Sequence, residues 1–236
     1  MSFELIDVLQ GSEEWDNLRA KRPTASEFNR IITGKGAASE QREMYMRRLS
    51  IARKYKVPQF AGNDWTERGH ELEPVARERL AKETGFDVRP AGFCLKSGAY
   101  RGCSPDALIW HRGRIVGGAE IKCYKLDKHL TIVNGDKLPT ANHPQVHGQL
   151  EVTSLPFWLF CVYCPEAYPM DFRIIEVTPG SYTRELAAEL DQFERDYDQN
   201  WARYLAEYEL DIVNKTPRQM APVAYSIINP EIEEVL

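Results

Sequence analysis

Between Phe86 and Val177 the chain reads as three strand-like segments, a helix and two further strands, with helical stretches before and after. Phe86–Lys96 is apolar and β-prone. Asp106–Trp110 and Arg114–Cys123 are separated by His111-Arg112-Gly113, a short Gly-containing hairpin loop, and Gly117-Gly118 interrupts the second strand. Residues 143–153 carry a helical pattern. Phe157–Cys164 and Phe172–Val177 then follow as strands joined by a Pro-containing turn. Few architectures accommodate this order. Strands that alternate with helices must bury both sheet faces, so the pattern predicts an α/β fold with a central mixed β-sheet flanked by helices. At 236 residues the chain is long enough to bury a core without disulfide or metal staples. Residues 1–210 read as one domain. Residues 211–236, with three prolines and an acidic end, read as a C-terminal extension.

The flanking stretches have distinct characters. Residues 13–32 read as helical with a break at Pro23, and Thr24 or Ser26 is placed to cap a second helix. Residues 40–55 read as a basic helix. Thr66–Thr84 is helical up to Gly85, and Pro74 predicts either a kink or a restart. Leu186, Leu190, Phe193, Tyr197, Trp201, Tyr204 and Tyr208 recur at three- and four-residue spacing, which predicts an amphipathic helix of about seven turns. That aromatic stripe reads as core packing. No apolar run reaches the ~18–20 residues of a membrane span. MSFELIDVLQ lacks the basic start and small-residue cleavage site of a secretory signal. Five cysteines, an odd number, point with it to free thiols in a reducing cytoplasm. Cys161-Val-Tyr-Cys164 lies in a strand, where residues three apart face opposite ways, so it reads as structural.

The formal charge of -5 alone argues against a nucleic-acid partner. Its distribution says something else. Arg19–Lys56 holds eleven Lys/Arg against three Asp/Glu, and Arg184–Asp211 holds three against nine. Fields are local to about 8 Å at physiological salt, so a basic wall attracts phosphate on an acidic protein. Two solvated helix faces would produce the same pattern.

The chemistry concentrates in Ser104-Pro105-Asp106 and Glu120-Ile121-Lys122. On a strand Glu120 and Lys122 share a face, and Asp106, at the start of the partner strand, reaches it. Two carboxylates and an ammonium suit a hard divalent cation such as Mg²⁺, held by Asp106 and Glu120 with the Ile121 carbonyl as a further ligand. Lys122 would orient or deprotonate a water. A cross-strand salt bridge is the plain alternative. Three further segments favour the site. Glu73, on the preceding helix, adds an acid. Gln145 and Gln149 sit one helical turn apart, with Gln149 placed to bond phosphate or water. Arg19 and Ser26 lie near a helix start, where free N–H groups bind phosphate.

Five stretches, WDNLRAKRPTASEF, ERGHELEPVARERL, RGCSPDALI, GAEIKCY and HPQVHGQLEVT, resemble in order the PD-(D/E)xK nucleases of the phage lambda exonuclease type, the YqaJ-like viral recombinases. The resemblance covers about residues 11–177. It implies a PD-(D/E)xK core and a Mg²⁺-dependent 5′→3′ exonuclease acting on double-stranded DNA ends, with Mn²⁺ able to substitute. It implies catalytic Glu73, Asp106, Glu120 and Lys122 with Gln149 beside them, and a 5′-phosphate site at Arg19 and Ser26. It also implies a homotrimeric ring, a single-strand annealing partner, and a phage- or prophage-derived protein in a bacterial cytoplasm. Lys35, Arg47 and Arg48 are expected to line the DNA entrance. An iron–sulfur cluster is not expected, because four suitably placed cysteines are missing. A site-specific endonuclease and a catalytically silent DNA-binding module remain alternatives.

Overall fold

The computed structural model describes residues 2–55 and 64–215. A five-stranded sheet forms its centre. Its strands are β2 (Asp87–Arg89), β5 (Ala107–His111), β6 (Arg114–Lys122), β7 (Trp158–Tyr163) and β8 (Phe172–Val177), in that spatial order. The β6–β7 pair is parallel and the other pairs are antiparallel, so the sheet is mixed as expected. A smaller sheet joins β1 (Phe3–Ile6), β3 (Phe93–Lys96) and β4 (Gly102–Cys103).

Alternation along the central strands builds two cores. One face carries Ala107, Ile109, Ala119, Ile121, Leu159 and Cys161. It packs on Ala76 and Leu80 of α3 (Asp64–Thr84). The other carries Leu108, Trp158, Phe160 and Val162. It is covered by α5 (His143–Thr153) and α6 (Ser181–Lys215), whose Leu186, Leu190, Phe193 and Tyr197 are buried. The aromatic stripe is therefore core. The N-terminal layer holds α1 (Glu13–Ala20), a short 3-10 turn over Ala25–Arg30 and α2 (Arg42–Ala52). The helix α4 (Leu126–Gly135) follows β6 directly.

The structure corrects several expectations. Phe86–Lys96 is not one strand: Pro90-Ala91-Gly92 divides it into β2 and β3, which join different sheets. A Cβ on Gly92 would come within 2.3 Å of the Ile6 carbonyl, so the chain crosses between sheets where only glycine fits. Gly117-Gly118 does not interrupt β6. The two glycines accept the rings of Phe157 and Trp158, which a Cβ would meet at 2.5 and 2.3 Å. The hairpin turn is Arg112-Gly113, both with positive φ, between the paired His111 and Arg114. Of the two expectations for Pro74, the restart is not met: α3 runs through it. The helix α6 extends beyond the expected Leu186–Tyr208 to Lys215. The extension beyond that lies outside the described residues. Neither β1 nor α4 is legible in the sequence. The α4 helix is preceded by Lys125, whose side chain has no capping oxygen, and contains the β-branched run Thr131-Ile132-Val133. All five cysteines are free.

Candidate active site

The β5–β6 register pairs Ala107 with Ala119, which brings Asp106 beside Glu120. Glu120 is 2% exposed and is held from three sides. Its Oε1 accepts from Gln145 Nε2 and from Lys122 Nζ, each at 2.6 Å, and its Oε2 accepts from Gln149 Nε2 at 2.6 Å. Asp106 Oδ2 accepts from the Ile121 backbone N–H at 2.6 Å. Burial, and then the charge of Glu120, push the Asp106 carboxyl well above the usual range. For Lys122, burial acts to lower the pKa, but the charges of Glu120 and Asp106 outweigh it and hold the ammonium above its ordinary value. From α3, Glu73 pairs with Arg77 one turn on, and Arg77 Nε donates to the Asp106 carbonyl at 3.2 Å. Arg77 thus ties Glu73 to the Asp106 loop.

The phosphate-site candidates also converge. Ser12 caps α1 by accepting from the Trp15 N–H. Trp15 Nε1 donates to Ser104 Oγ at 2.8 Å, which fixes α1 to the Ser104-Pro105-Asp106 loop. The Arg19 guanidinium lies 4.1 Å over the Trp15 ring and donates to Ser26 Oγ at 3.0 Å. Burial lowers the Arg19 pKa, although Glu27, Tyr45 and Asp16 act against it. Ser26 stands on the 3-10 turn, which is anchored by Phe28 against Gly148 of α5; a Cβ on Gly148 would meet that ring at 2.4 Å. The helix that supplies the glutamines to Glu120 therefore also seats the Ser26 segment.

Two lobes of one cleft meet at these acids. A lobe of about 1470 Å³ is lined by Trp15, Arg19, Ser26, Arg48 and Arg77. A second, of about 510 Å³, is lined by Ile121, Lys122, Tyr124, Lys125 and Lys128. His70, Glu73 and Asp106 border both.

Not every expected residue arrives there. Gln149 is 1% exposed and bonds Glu120, so it lies beneath the cleft rather than open to phosphate or water. Lys35 is exposed and lines neither lobe. Arg47 turns away to Glu43, Glu207 and the Tyr204 ring. Arg48 does line the larger lobe, 3.5 Å from Glu27. Arg77, Trp15 and His70 were not singled out from the sequence. The signal for His70 and Arg77 was their helical spacing, three before and four after Glu73. Among the described residues no three His, Cys, Asp or Glu side chains are grouped to hold a metal ion. Glu73 is engaged by Arg77, Asp106 by the Ile121 N–H, and Glu120 by Lys122 and two glutamines.

Residues 14–156 match the YqaJ-like viral recombinase domain. The chain belongs to this family. The solved structure of an alkaline exonuclease (LHK-Exo) from Laribacter hongkongensis is similar, at 26% identity and TM-score 0.72. That match covers 85% of this chain and 100% of that one. The same exonuclease in complex with dAMP matches at 26% identity and TM-score 0.66, over 81% and 97% of the two chains. A phage related exonuclease from Haemophilus somnus 129PT shares the fold at 13% identity, TM-score 0.59, over 80% and 98%. No match was found among curated protein sequences. The YqaJ-like chain thus has the PD-(D/E)xK fold of phage-type exonucleases, with Glu73, Asp106 and Lys122 on its cleft and the buried Glu120 bonded to Lys122.

Proposed function

We propose that this YqaJ-family chain is a deoxyribonuclease that removes mononucleotides 5′→3′ from one strand of linear double-stranded DNA, leaving a 3′ single strand for annealing. The carrying observation is the convergence of Asp106 and Lys122, with the buried Glu120 bonded to Lys122, at a cleft whose larger lobe holds Arg19 and Ser26. The similarity to an alkaline exonuclease supports it.

A divalent cation, Mg²⁺ with Mn²⁺ as substitute, fits the donor chemistry. The set is all oxygen, the half-buried Asp106 carboxylate lies beside the buried Glu120, and the buried Gln149 Oε1 has no partner among the described residues. Asp106, Glu120, Glu73 and the Ile121 carbonyl would hold it, once Glu120 exchanges an internal donor for it. When bound, the metal polarises the phosphate and makes water a stronger nucleophile at neutral pH. Arg19 and Ser26 hold the terminal 5′-phosphate, placing the first internucleotide linkage at the acids. Lys122 orients the attacking water and offsets the negative charge that develops on the phosphate. The water oxygen bonds to phosphorus, the P–O3′ bond breaks, and a 5′-mononucleotide leaves with a free 3′-hydroxyl. Gln145 and Gln149 act through Glu120 by fixing its carboxylate. A homotrimeric ring around the remaining strand and a single-strand annealing protein as partner follow from the family resemblance, and Arg48 is the entrance residue the cleft best supports.

Digestion in Mg²⁺ of linear duplex with and without a 5′-phosphate, beside closed circular duplex, tests this. The expected outcome is fast loss of the 5′-phosphorylated linear DNA, slower loss of the 5′-hydroxyl form, and an intact circle. A cut circle would instead indicate an endonuclease.

A further inference from the structure

The Tyr124–Lys128 side of the smaller lobe has no part in the mechanism above, yet it opens onto the same acids. Its outer wall is built by the start of α4 and the turn before it. Lys122, Lys125 and Lys128 line it with Tyr124, and among the described residues the acids on its lining are Glu73 and Asp106, at the reaction centre. Lys128 Nζ lies 3.8 Å from the Tyr124 ring centroid. Tyr124 is fixed in turn, its hydroxyl donating to Asn142 Oδ1 at 3.3 Å. Asn142 is buried and immediately precedes α5, the helix that holds Glu120. The α4 helix is anchored on its far side as well: the buried His129 bonds the Met170 carbonyl at 2.7 Å, and Arg173 Nε donates to Asp136 Oδ1 at 2.9 Å. The Lys128–Tyr124 pair is therefore a preorganised cation on a rigid support, beside two further lysines.

Lys122 is held by Glu120 at 2.6 Å, whereas the Lys128 ammonium stands on the Tyr124 ring, farther from the reaction centre. The cleft geometry identifies the anion that this ammonium would meet. If the 5′-terminal phosphate occupies the Arg19–Ser26 lobe and the scissile phosphate lies at the acids, the strand must continue into the other lobe. We infer that Lys128, backed by Tyr124, binds the DNA phosphate one linkage to the 3′ side of the scissile bond. Lysine suits a rotating phosphate as a point charge, and the tyrosine face suits an adjacent sugar or base. This subsite holds the retained strand, so it positions the scissile linkage and keeps hold of the DNA when the mononucleotide leaves. The inference rests on the nuclease reading.

The test is single-turnover release of the first nucleotide from a 5′-phosphorylated blunt duplex, in Mg²⁺. Wild type, Lys128→Ala and Lys128→Arg are compared on ordinary DNA and on DNA whose second linkage from the 5′ end is an uncharged methylphosphonate. Lys128→Ala should slow release by about tenfold on ordinary DNA, and Lys128→Arg should restore most of it. The methylphosphonate should slow wild type by a similar factor and leave Lys128→Ala no slower than it already is, because both changes remove one contact. Equal rates for Lys128→Ala and wild type on ordinary DNA, or two defects that multiply, would overturn the subsite. Ordinary duplex left intact by wild type would defeat the nuclease reading itself, and the subsite with it.

Discussion

Glu120 shows what a single buried residue demands of its surroundings. A carboxylate that is 2% exposed is stable only with donors on its lone pairs, and Lys122, Gln145 and Gln149 supply them. The sequence placed both glutamines on one helix face, but their target was invisible because it lies on a strand twenty-nine residues from Gln149. The same helix carries a second enclosed polar group, the half-buried His147. Its Nδ1 bonds Thr183 Oγ1 at 2.9 Å, and its ring packs against His143 and Tyr182. Burial, with a smaller contribution from His143, lowers its pKa to about 4. The folded value lies below the ordinary one of about 6.5, so the neutral ring contributes stability that is present above pH 6.5 and is lost as pH falls toward 4. An NMR titration of the His147 imidazole should give a midpoint near 4, while a midpoint near 6.5 would contradict the packed, neutral assignment.

At the scale of elements, segregated charge turns out to serve packing more than DNA. Arg42 pairs with Glu189 and Asp196, Arg53 with Asp198 and Lys54 with Glu209, so the basic α2 region is largely matched by the acidic α6. The sequence displayed both blocks, but opposite charges that neutralise each other across a helix pair look the same in sequence as two solvated faces. This divides two adjacent arginines. Arg47 belongs to the α6 pairing and Arg48 to the cleft. Arg47→Ala should leave DNA affinity unchanged and cost under about 1 kcal/mol of stability. Arg48→Glu should weaken DNA binding about tenfold and lower its salt slope by about one. A reversed order of effects in a salt-dependent binding titration would place the DNA entrance elsewhere. The strands of the hairpin and the α5 helix were legible because their periodicity is strong. The β2–β3 crossing was not, because Pro90-Ala91-Gly92 looks like an irregularity within one apolar run.

The whole molecule resolves the apparent conflict between a charge of -5 and a DNA substrate. Acids on α6 neutralise α2, and Glu73, Asp106 and Glu120 line or lie beneath the cleft, so the net figure does not describe the surface that phosphate would meet. That surface carries Arg19 and Arg48 on one side of the acids, and Lys122, Lys125 and Lys128 on the other. The acid–acid–lysine set and its fold were readable before the structure. The two-lobed cleft was not, because it arises where α1, α3 and the end of β6 meet, and no local pattern encodes that meeting. Among the described residues no helix is long and apolar enough to cross a membrane. The central claim is that these groups hydrolyse DNA with Lys122 at the reacting phosphate. Digestion of a 5′-phosphorylated linear duplex in Mg²⁺ by Lys122→Ala, with DNA binding measured in parallel, tests it most directly. The account predicts that binding survives and cleavage falls to background, whereas ordinary turnover by that variant would contradict it.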